Sequence, residues 1–391
     1  MKKLFKTSML IALSVLLAVS FNSCKKSKSD STVEPTTENS IKKSAVINQF
    51  LNHTVAPTYT KLAAYSAQLV DDLGTLKGEM TQANVDQACE TFLEARKWWE
   101  MSEAFLFGPA SDFGIDPHID SWPLDEDAFN NLMASPSMIA ALDTEDGDVV
   151  AGEQLGNALL GFHGIEYVLF RDGQPRPVAE LTNDYMIYAY AVAGDLRNRC
   201  FQLEVSWVGD DAPASHIAKM EELEFNTTVN GGDLSYGDNM RNAGQAGSTY
   251  FTLTHALQAI IDGSIDISDE VGTSKIGKPY TGEDPTYIES PYSHKSIIDF
   301  YDNIKSVENA YMGGNEDERD KSKSMHAYVK GIDSSLDRQI TEAIANALSK
   351  ISHMAAPFVH NYADPSAHEA MEACQELSDV LGRAKTAIHD N

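Results

Sequence analysis

Apolar residues recur at spacings of three and four along most of the 391-residue chain, and this periodicity constrains the fold more than any other feature. β-Branched alternation is scarce, so no convincing strand pair is predicted. The segment from residue 267, ISDEVGTSKIGKPY, is expected to be extended and irregular. The fold class predicted is all-α, with helices at residues 41–76, 85–107, 125–134, 148–171, 181–208, 216–223, 243–261, 293–312, 333–352 and 366–389.

The predicted helices fall into two groups on either side of a polar segment that begins near residue 208. Helices joined by short loops pack as antiparallel bundles. We therefore predict two antiparallel helical bundles, each like a four-helix bundle, packed together: an N-terminal bundle at 41–208 and a C-terminal bundle at 209–391. Similar helix counts permit an internal duplication, although no fixed-period repeat is present.

Residues 1–24 have the organisation of a secretion signal and are set apart from the fold. Lys2, Lys3 and Lys6 precede an apolar stretch at 9–21 that is too short to span a bilayer comfortably. The segment therefore predicts export from the cytoplasm.

The signal ends at FNSC, which resembles a bacterial lipobox in which Cys24 is lipidated and becomes the mature N-terminus. Phe21 departs from the leucine that is usual there, so ordinary secretion remains an alternative. Residues 25–40 are polar and are predicted to form a disordered tether. We expect a lipid-anchored protein of the cell envelope, facing the periplasm or on the outer-membrane surface.

The formal net charge of −28 excludes nucleic acid as a partner, because phosphates demand a basic surface. Most of this acidity is interpreted as a device for solubility. Beyond Cys24, the chain has Cys89, Cys200 and Cys374, which are far apart and odd in number. They predict neither a disulfide framework nor a cysteine-based metal site.

One apolar run, residues 159–170, contains a histidine and a carboxylate three residues apart, His163 and Glu166. A helix that is apolar nearly all round is a buried one, and a buried glutamate is uncommon unless it is paired or binds a metal. The run therefore predicts a buried polar site. The alternative is an ordinary helical pair in the core.

A second constellation lies in EARKWWEMSEAFLFGPA, where Arg96, Trp99 and Glu103 sit among aromatic residues on a helix that stops at Gly108-Pro109. The loop that follows carries many ligand-type groups, and dense loops of this kind are often functional. Its candidates are Asp116, Asp120 and Trp122. The alternative is that Arg96 and its neighbours form structural ion pairs.

In the second half, Ser293 is predicted to cap the helix that follows Pro291, with Ser296 on its first turn. A helix N-terminus that presents hydroxyl groups can hold an anion or a carboxylate. Two interpretations therefore stay open for these serines: they either cap a helix or close over the helix of His163 and Glu166.

Several of these segments resemble the imelysin-like family. GFHGIEY resembles its G-x-H-x-x-E signature, and the R-x-x-W-x-x-x-E helix, FGP, IDSWPLD, EVGTSKIGKP and the ES-YS-S-DF-NI region of residues 289–304 are similar to family sequence. The family takes in the insulin-cleaving membrane protease and periplasmic proteins of iron-uptake operons. The resemblance implies an all-helical, two-bundle build and a site around the signature.

His163, Glu166 and Glu103, joined by Asp120, offer nitrogen and oxygen ligands that suit iron or zinc. We therefore predict a metal site with the first three as ligands, supported by Arg96, Trp99, Asp116, Asp120, Trp122, Ser293 and Ser296. The chain has no H-E-x-x-H motif, and no evident general base remains if Glu166 is a ligand. Catalysis is thus a weaker hypothesis than binding.

The predicted function is an accessory role in bacterial iron uptake, in which the chain binds iron or an iron-containing small ligand between its bundles. The alternatives are a metallopeptidase, as the name of the family implies, and a scaffold or adhesion protein in which the signature only packs the interface. The partners expected are the membrane, through the anchor, and iron-transport components. We expect the protein to be a monomer.

Overall fold

Helices make up most of residues 38–389, the part of the chain that the computed structural model describes. A π-helical turn at Leu51–Val55 joins the first two helices, and 3-10 turns lie at Glu103–Phe105, Asn157–Leu159 and Val178–Glu180. The α-helices of the first half are α1 (Glu38–Phe50), α2 (Ala56–Gly78), α3 (Gln82–Glu100), α4 (Pro109–Asp112), α5 (Ile115–Ile119), α6 (Glu126–Met133), α7 (Pro136–Leu142), α8 (Gly147–Gln154), α9 (Gly161–Leu169) and α10 (Asn183–Val208).

The second half is built in the same way, and the predicted all-α class is confirmed. Its 3-10 turns lie at Gly209–Asp211, Val229–Gly231, Glu316–Glu318 and Lys321–Lys323, and a second π-helical turn lies at Val271–Lys275. The α-helices are α11 (Ala214–Glu222), α12 (Tyr236–Arg241), α13 (Leu253–Glu270), α14 (Gly277–Thr281), α15 (Ser296–Met312), α16 (Met325–Ile332), α17 (Ser334–Ser352), α18 (Phe358–Asn361) and α19 (Pro365–His389).

The long helix α10 organises the first half, where it packs against α2, α8 and α9, while α2 packs along α3. Threonines set where two of these helices begin. Thr81 Oγ1 accepts a hydrogen bond from Asn84 N at 3.3 Å, and Thr182 Oγ1 accepts one from Tyr185 N at 3.1 Å. Such caps satisfy amide groups that the first helical turn leaves unpaired.

In the second half, α19 packs against α13 and α17, and α15 packs against α13 and α17. The first helix, α1, joins this group by packing on α12, α13 and α16. The halves also meet where α3 packs against α15, and the described residues 38–389 belong to one compact unit. The division into bundles near residue 208 stays a prediction.

One continuous helix was predicted at 148–171, but the structure has two helices there, separated by an extended segment and a 3-10 turn. The helix α8 ends at Gln154, an extended Leu155-Gly156 and a 3-10 turn follow, and α9 starts only at Gly161. Gly161 has a φ of +65°, and a Cβ there would overlap the backbone of Ile119. Only glycine fits this approach, which holds the start of α9 against the residue that precedes Asp120.

The segment predicted to be extended from residue 267 is instead helical, and the prediction was wrong there. The helix α13 runs to Glu270 and continues through the π-helical turn into α14. Ile267, Val271 and Ile276 are fully or almost fully buried, and the turn packs against α19. This packing overrides the weak helix propensity of the Gly, Ser and Thr residues. The same helix starts at Leu253 rather than at residue 243.

Two smaller differences concern helix ends, and a third concerns a hairpin. The helix predicted to run to residue 107 ends at Glu100, and the helix predicted from Ser293 starts at Ser296. A short antiparallel hairpin, not predicted, pairs β1 (Phe170–Arg171) with β2 (Gln174–Pro175). Its turn is Asp172-Gly173, with both residues at positive φ, and such a pair is a strong hairpin signal.

The predicted signal at 1–24, Cys24 and nearly all of the tether lie outside the described residues. The tether was predicted to extend to residue 40, whereas α1 already begins at Glu38. Among residues 38–389, no helix has the length and apolar character needed to cross a bilayer.

Candidate functional site

A buried polar cluster forms where segments from both halves of the chain meet. The end of α3, the 3-10 turn that follows it, the residue after α5 and the first two turns of α9 come from the first half. The π-helical turn, the loop before α15 and α15 itself come from the second. The charged members are Arg96, Glu100, Glu103, Asp120, His163, Glu166, Lys275 and Glu289, each at most 7% exposed.

Arg96 is the hub of this cluster and is 2% exposed. Its guanidinium contacts Asp120 through Nη1 and contacts both Glu100 and Glu289 through Nη2, the last at 2.7 Å. Burial lowers the pKa of Arg96, but these carboxylates outweigh it and raise the pKa above its usual range. Trp99 Nε1 donates to the other oxygen of Asp120 at 2.7 Å, which fixes that carboxylate.

Lys275 supplies a second buried cation from the π-helical turn. Its Nζ lies 3.2 Å from Glu289 Oε1, 3.8 Å from Glu100 Oε2 and 4.0 Å from Glu103 Oε1. Burial lowers the pKa of Lys275, whereas Glu103 and the other carboxylates raise it well above its usual range. The ammonium is therefore charged at neutral pH.

The carboxylates of the cluster outnumber these two cations. Burial raises the pKa values of Glu100 and Glu103 well above their usual range, against the pull of Arg96 on the first and of Lys275 on the second. Burial also raises the pKa of Asp120, but Arg96 and His163 outweigh it and hold that pKa below its usual range. Glu100 and Glu103 therefore tend to hold protons, which a cation that binds at the cluster would displace.

His163 lies on the first turn of α9, between two carboxylates. Its Nε2 is 3.1 Å from Asp120 Oδ1, and its Nδ1 is 3.4 Å from Glu166 Oε2. Burial lowers the pKa of His163, but the neighbouring Asp120 and Glu166 outweigh it and raise the pKa to about 9. Nε2 nevertheless lacks a partner with hydrogen-bond geometry.

Glu166 is held from the second half of the chain. Its Oε1 accepts hydrogen bonds from Ser293 N at 2.8 Å, from Ser293 Oγ at 2.7 Å and from Tyr292 N at 3.2 Å. The other oxygen, Oε2, faces His163 Nδ1. Glu166 thus fixes the orientation of the imidazole, an arrangement typical of residues that support a metal-binding histidine.

Three buried residues bring potential ligand atoms within 4.8 Å of one another: Asp120, His163 and Glu289, here called the ligand triad. Two of these residues have an unpartnered buried atom, His163 Nε2 and Glu289 Oε2. Unpartnered polar atoms are costly in a protein interior. A metal with nitrogen and oxygen ligands fits this donor set and would satisfy both atoms.

The other predicted site residues surround the triad. Of the predicted ligands, the structure places His163 in the triad, Glu166 behind the imidazole and Glu103 beside Lys275. Ser296 Oγ donates to the main-chain carbonyl of Glu289 and so positions that residue.

A cleft of about 240 Å³ opens on the cluster. Trp122 covers one side, with its ring 5.7 Å from the ring of His163 and 5.1 Å from that of Tyr287. Burial, with the nearby Asp120, raises the pKa of Asp116 in the cleft to about 6. This surface, the acidic cleft, is lined by Glu103, Leu106, Asp116, Pro117, Asp120, Ser121, Trp122, Glu270, Lys275 and Tyr287.

Sequence reasoning did not single out Glu289 or Lys275. Glu289 lies in a loop, where no periodicity marks a buried position. Lys275 lies in the segment from residue 267 that was predicted to be extended and irregular. The only signal was that both fall within stretches similar to family sequence, ES-YS and EVGTSKIGKP.

The fold and cluster define an all-α protein with a buried, carboxylate-rich polar site reached through a cleft. The chain belongs to the imelysin family, peptidase M75, whose family model matches residues 55–384.

Two relatives match over most of their length. The chain is 27% identical over 342 residues to iron-regulated protein A of Synechococcus elongatus, covering 86% of this chain and 84% of that protein. The solved structure of a putative iron-regulated protein A precursor from Parabacteroides distasonis is 27% identical, with a TM-score of 0.76 over 92% of this chain and 97% of that one.

A more distant structure shares the fold. It is an imelysin-like protein from Psychrobacter arcticum, 14% identical, with a TM-score of 0.57 over 89% of this chain and 93% of that one.

Proposed function

We propose that this protein binds a transition-metal cation, iron in particular, at the ligand triad and serves as an accessory protein in iron acquisition. The observation that carries the proposal is the convergence of Asp120, His163 and Glu289, whose ligand atoms lie within 4.8 Å of one another in a buried site. Within the triad, His163 Nε2 and Glu289 Oε2 have no hydrogen-bond partner. When bound, the ion would replace the proton on His163 and satisfy the lone pairs of these two atoms.

The residues around the triad have distinct roles in this proposal. Glu166 orients His163, Trp99 fixes Asp120 through its indole N–H, and Ser296 holds the backbone of Glu289. Arg96 joins two of the ligand residues, because it contacts both Asp120 and Glu289. A ligand set held this firmly favours one geometry and limits the cost of ordering it on binding.

Iron is favoured over other metals on two grounds. A histidine with two carboxylates is a ligand set that iron and zinc accept, whereas calcium prefers oxygen alone and copper(I) prefers sulfur. The relatives from Synechococcus elongatus and Parabacteroides distasonis are both named as iron-regulated. Zinc is therefore the main competitor in a binding test.

Binding is better supported than peptide hydrolysis. A metallopeptidase needs a carboxylate near the metal that is free to take a proton from water. Glu166 is engaged by the amides of Tyr292 and Ser293, and Glu103 faces Lys275. Glu166 and Glu103, the two carboxylates that the sequence suggested as ligands, are thus not free to act as the general base of a peptidase.

We further propose that the chain is anchored in the cell envelope through a lipid on Cys24, which would hold the folded part beside the membrane that imported iron must cross. The support is the sequence of the first 24 residues. Replacing Cys24 by serine should release the protein from the membrane fraction, as measured by fractionation of whole cells.

The test of metal binding is calorimetric titration of the purified protein, without a histidine tag, with Fe(II) under nitrogen and with Zn(II). We expect one site, which His163→Ala removes and Glu289→Gln weakens. His368→Ala is a matched control, since its side chain is 51% exposed and pairs only loosely, at 3.5 Å, with Glu372. Failure of both ions to bind, or equal binding by the wild type and His163→Ala, would refute the proposed site.

A further inference from the structure

Lys275 stands between the ligand triad and the acidic cleft. Its Nζ is 3.2 Å from Glu289 Oε1, an oxygen of a triad residue, and the side chain also lines the cleft. Glu100 and Glu103 lie 3.8 and 4.0 Å from the same nitrogen. The ammonium therefore already neutralises part of the charge that a metal ion at the triad would neutralise.

We propose that Lys275 is a displaceable internal cation that competes with the metal ion for Glu289 and so sets the affinity of the site. This inference rests on the proposed function, because it needs a cation at the triad. Arg96 and Lys275 already share Glu289 Oε1, at 2.7 and 3.2 Å, so an ion at the triad would add a third positive charge, and like charges in a buried site repel each other strongly. Binding of the ion therefore requires the ammonium to move away from Glu289.

The acidic cleft gives the ammonium room to move away from Glu289. In its present position Lys275 Nζ already lies 5.5 Å from the Trp122 ring centroid, a cation–π contact that does not depend on Glu289. Asp116 and Glu270 line the same cleft, whose volume of about 240 Å³ leaves room for the side chain. A lysine has a long flexible stem, so its charge can move while the backbone stays in place. Arg96, whose Nη groups contact three carboxylates, has no such freedom.

A purely structural role for Lys275 makes the opposite prediction for metal affinity. If the ammonium only held Glu100, Glu103 and Glu289 in place, its removal would disorder the ligands and weaken binding. If it competes with the ion, its removal strengthens binding. Affinity for the metal and stability without the metal therefore separate the two roles.

The experiment compares the wild type with Lys275→Met in calorimetric titrations with Zn(II) and with Fe(II) under nitrogen. We expect binding by Lys275→Met to be at least about tenfold tighter, because one buried like charge is removed. Melting is measured on the same proteins. The metal-free variant should melt at a lower temperature, since buried carboxylates lose their partner, and saturating Zn(II) should raise its Tm by more than it raises that of the wild type.

Lys278→Met is the matched control. Lys278 lies three residues further along the same segment and places its Nζ 4.2 Å from the ring centroid of Tyr287, which also lines the cleft. The substitution removes one positive charge beside the cleft, from a side chain that contacts Tyr287 and not Glu289. We expect it to leave affinity within about threefold of the wild type, because partly exposed charges are screened by water.

The outcomes separate the two proposals. Unchanged or weaker binding by Lys275→Met, with a wild type that binds, overturns the inference and leaves the metal site standing. No binding by either protein overturns both. If Lys275→Met does not fold without metal, refolding in Zn(II) should recover it on our inference, and failure to recover folded protein in Zn(II) counts against it.

Discussion

Ser293 binds Glu166 across the two halves of the chain. The backbone N–H and the hydroxyl of Ser293 both donate to Glu166 Oε1, at 2.8 and 2.7 Å, although the residues are 127 positions apart. The carboxylate of the G-x-H-x-x-E helix is thus oriented by the loop before α15. The glutamate of the signature therefore depends for its orientation on a residue from the second part of the chain.

Ser293→Ala should therefore weaken metal binding without abolishing it. Loss of one hydrogen bond to a buried carboxylate should destabilise the protein by about 1–2 kcal/mol. Looser orientation of His163 should lower metal affinity by about tenfold. Ser264→Ala is the control, since Ser264 is also buried but donates only to Ile260 O of its own helix, at 3.0 Å. Equal affinity loss in both variants would contradict the role given to Ser293.

Gly161→Ala should be among the most damaging single-methyl changes in the chain. Its φ of +65° is strained for any other residue, and the new Cβ would overlap the backbone of Ile119. We expect a loss of roughly 2–4 kcal/mol in the free energy of unfolding, together with loss of metal binding, because Asp120 follows Ile119 directly.

Gly156→Ala provides the comparison for that measurement. Gly156 has a φ of −76°, and a Cβ there would meet no atom within 4 Å. Urea unfolding should show a change of less than about 0.5 kcal/mol for this variant. Equal losses of unfolding free energy in the two variants would show that the close approach of Gly161 to Ile119 is not what makes a side chain at 161 unfavourable.

How far the sequence predicts this fold depends on whether a segment carries its own signal. Helices α10, α17 and α19 were placed within two residues at each end, because apolar periodicity and capping residues mark them. The break before α9 was missed. Its cause is the tertiary approach of Gly161 to Ile119, which has no local signature.

The candidate site follows the same rule. Arg96, His163 and Glu166 stood out because charged groups in apolar surroundings need partners, and Asp120 stood out in a stretch dense with ligand-type groups. The structure brings the four together. Glu289 and Lys275 did not stand out. They lie in a loop and in a π-helical turn, whose burial is decided by the packing of distant helices.

Arg96→Met should destabilise the protein strongly. It leaves the buried carboxylates Asp120, Glu100 and Glu289 without their shared partner, and an unpaired buried charge costs about 3–5 kcal/mol. Arg96→Lys should recover only part of this loss, because an ammonium lacks the planar fork that reaches three carboxylates. Both are measured by urea unfolding.

Arg338→Met shows what a surface arginine contributes by the same measurement. Its ion pair with Glu342 spans 4.0 Å, and the two side chains are 66% and 70% exposed. Exposed pairs of this kind contribute little, so we expect less than about 0.5 kcal/mol. If Arg96→Met lowered the free energy of unfolding by as little as Arg338→Met does, the buried carboxylates would not need Arg96, and protons would balance their charge.

Asp302 should make stability depend on pH. This aspartate on α15 is 5% exposed, and burial together with the Asp299 carboxylate raises its pKa to about 7, against the pull of Lys97 and Lys305. The folded protein therefore holds a proton that the unfolded chain releases near pH 4. The contribution to stability is fully present below that pH and is lost as pH rises through 7.

Asp302→Asn removes this titration and should therefore stabilise the protein at pH 8, by roughly 4 kcal/mol, while differing from the wild type by only about 1 kcal/mol near pH 4.5. Urea unfolding of both proteins at pH 4.5, 6 and 8 measures the difference. Asp210→Asn, at an exposed position, corrects for the change in net charge. A difference between Asp302→Asn and the wild type that does not grow with pH would show that Asp302 is ionised in the fold at pH 4.5, with Lys97 and Lys305 prevailing over burial.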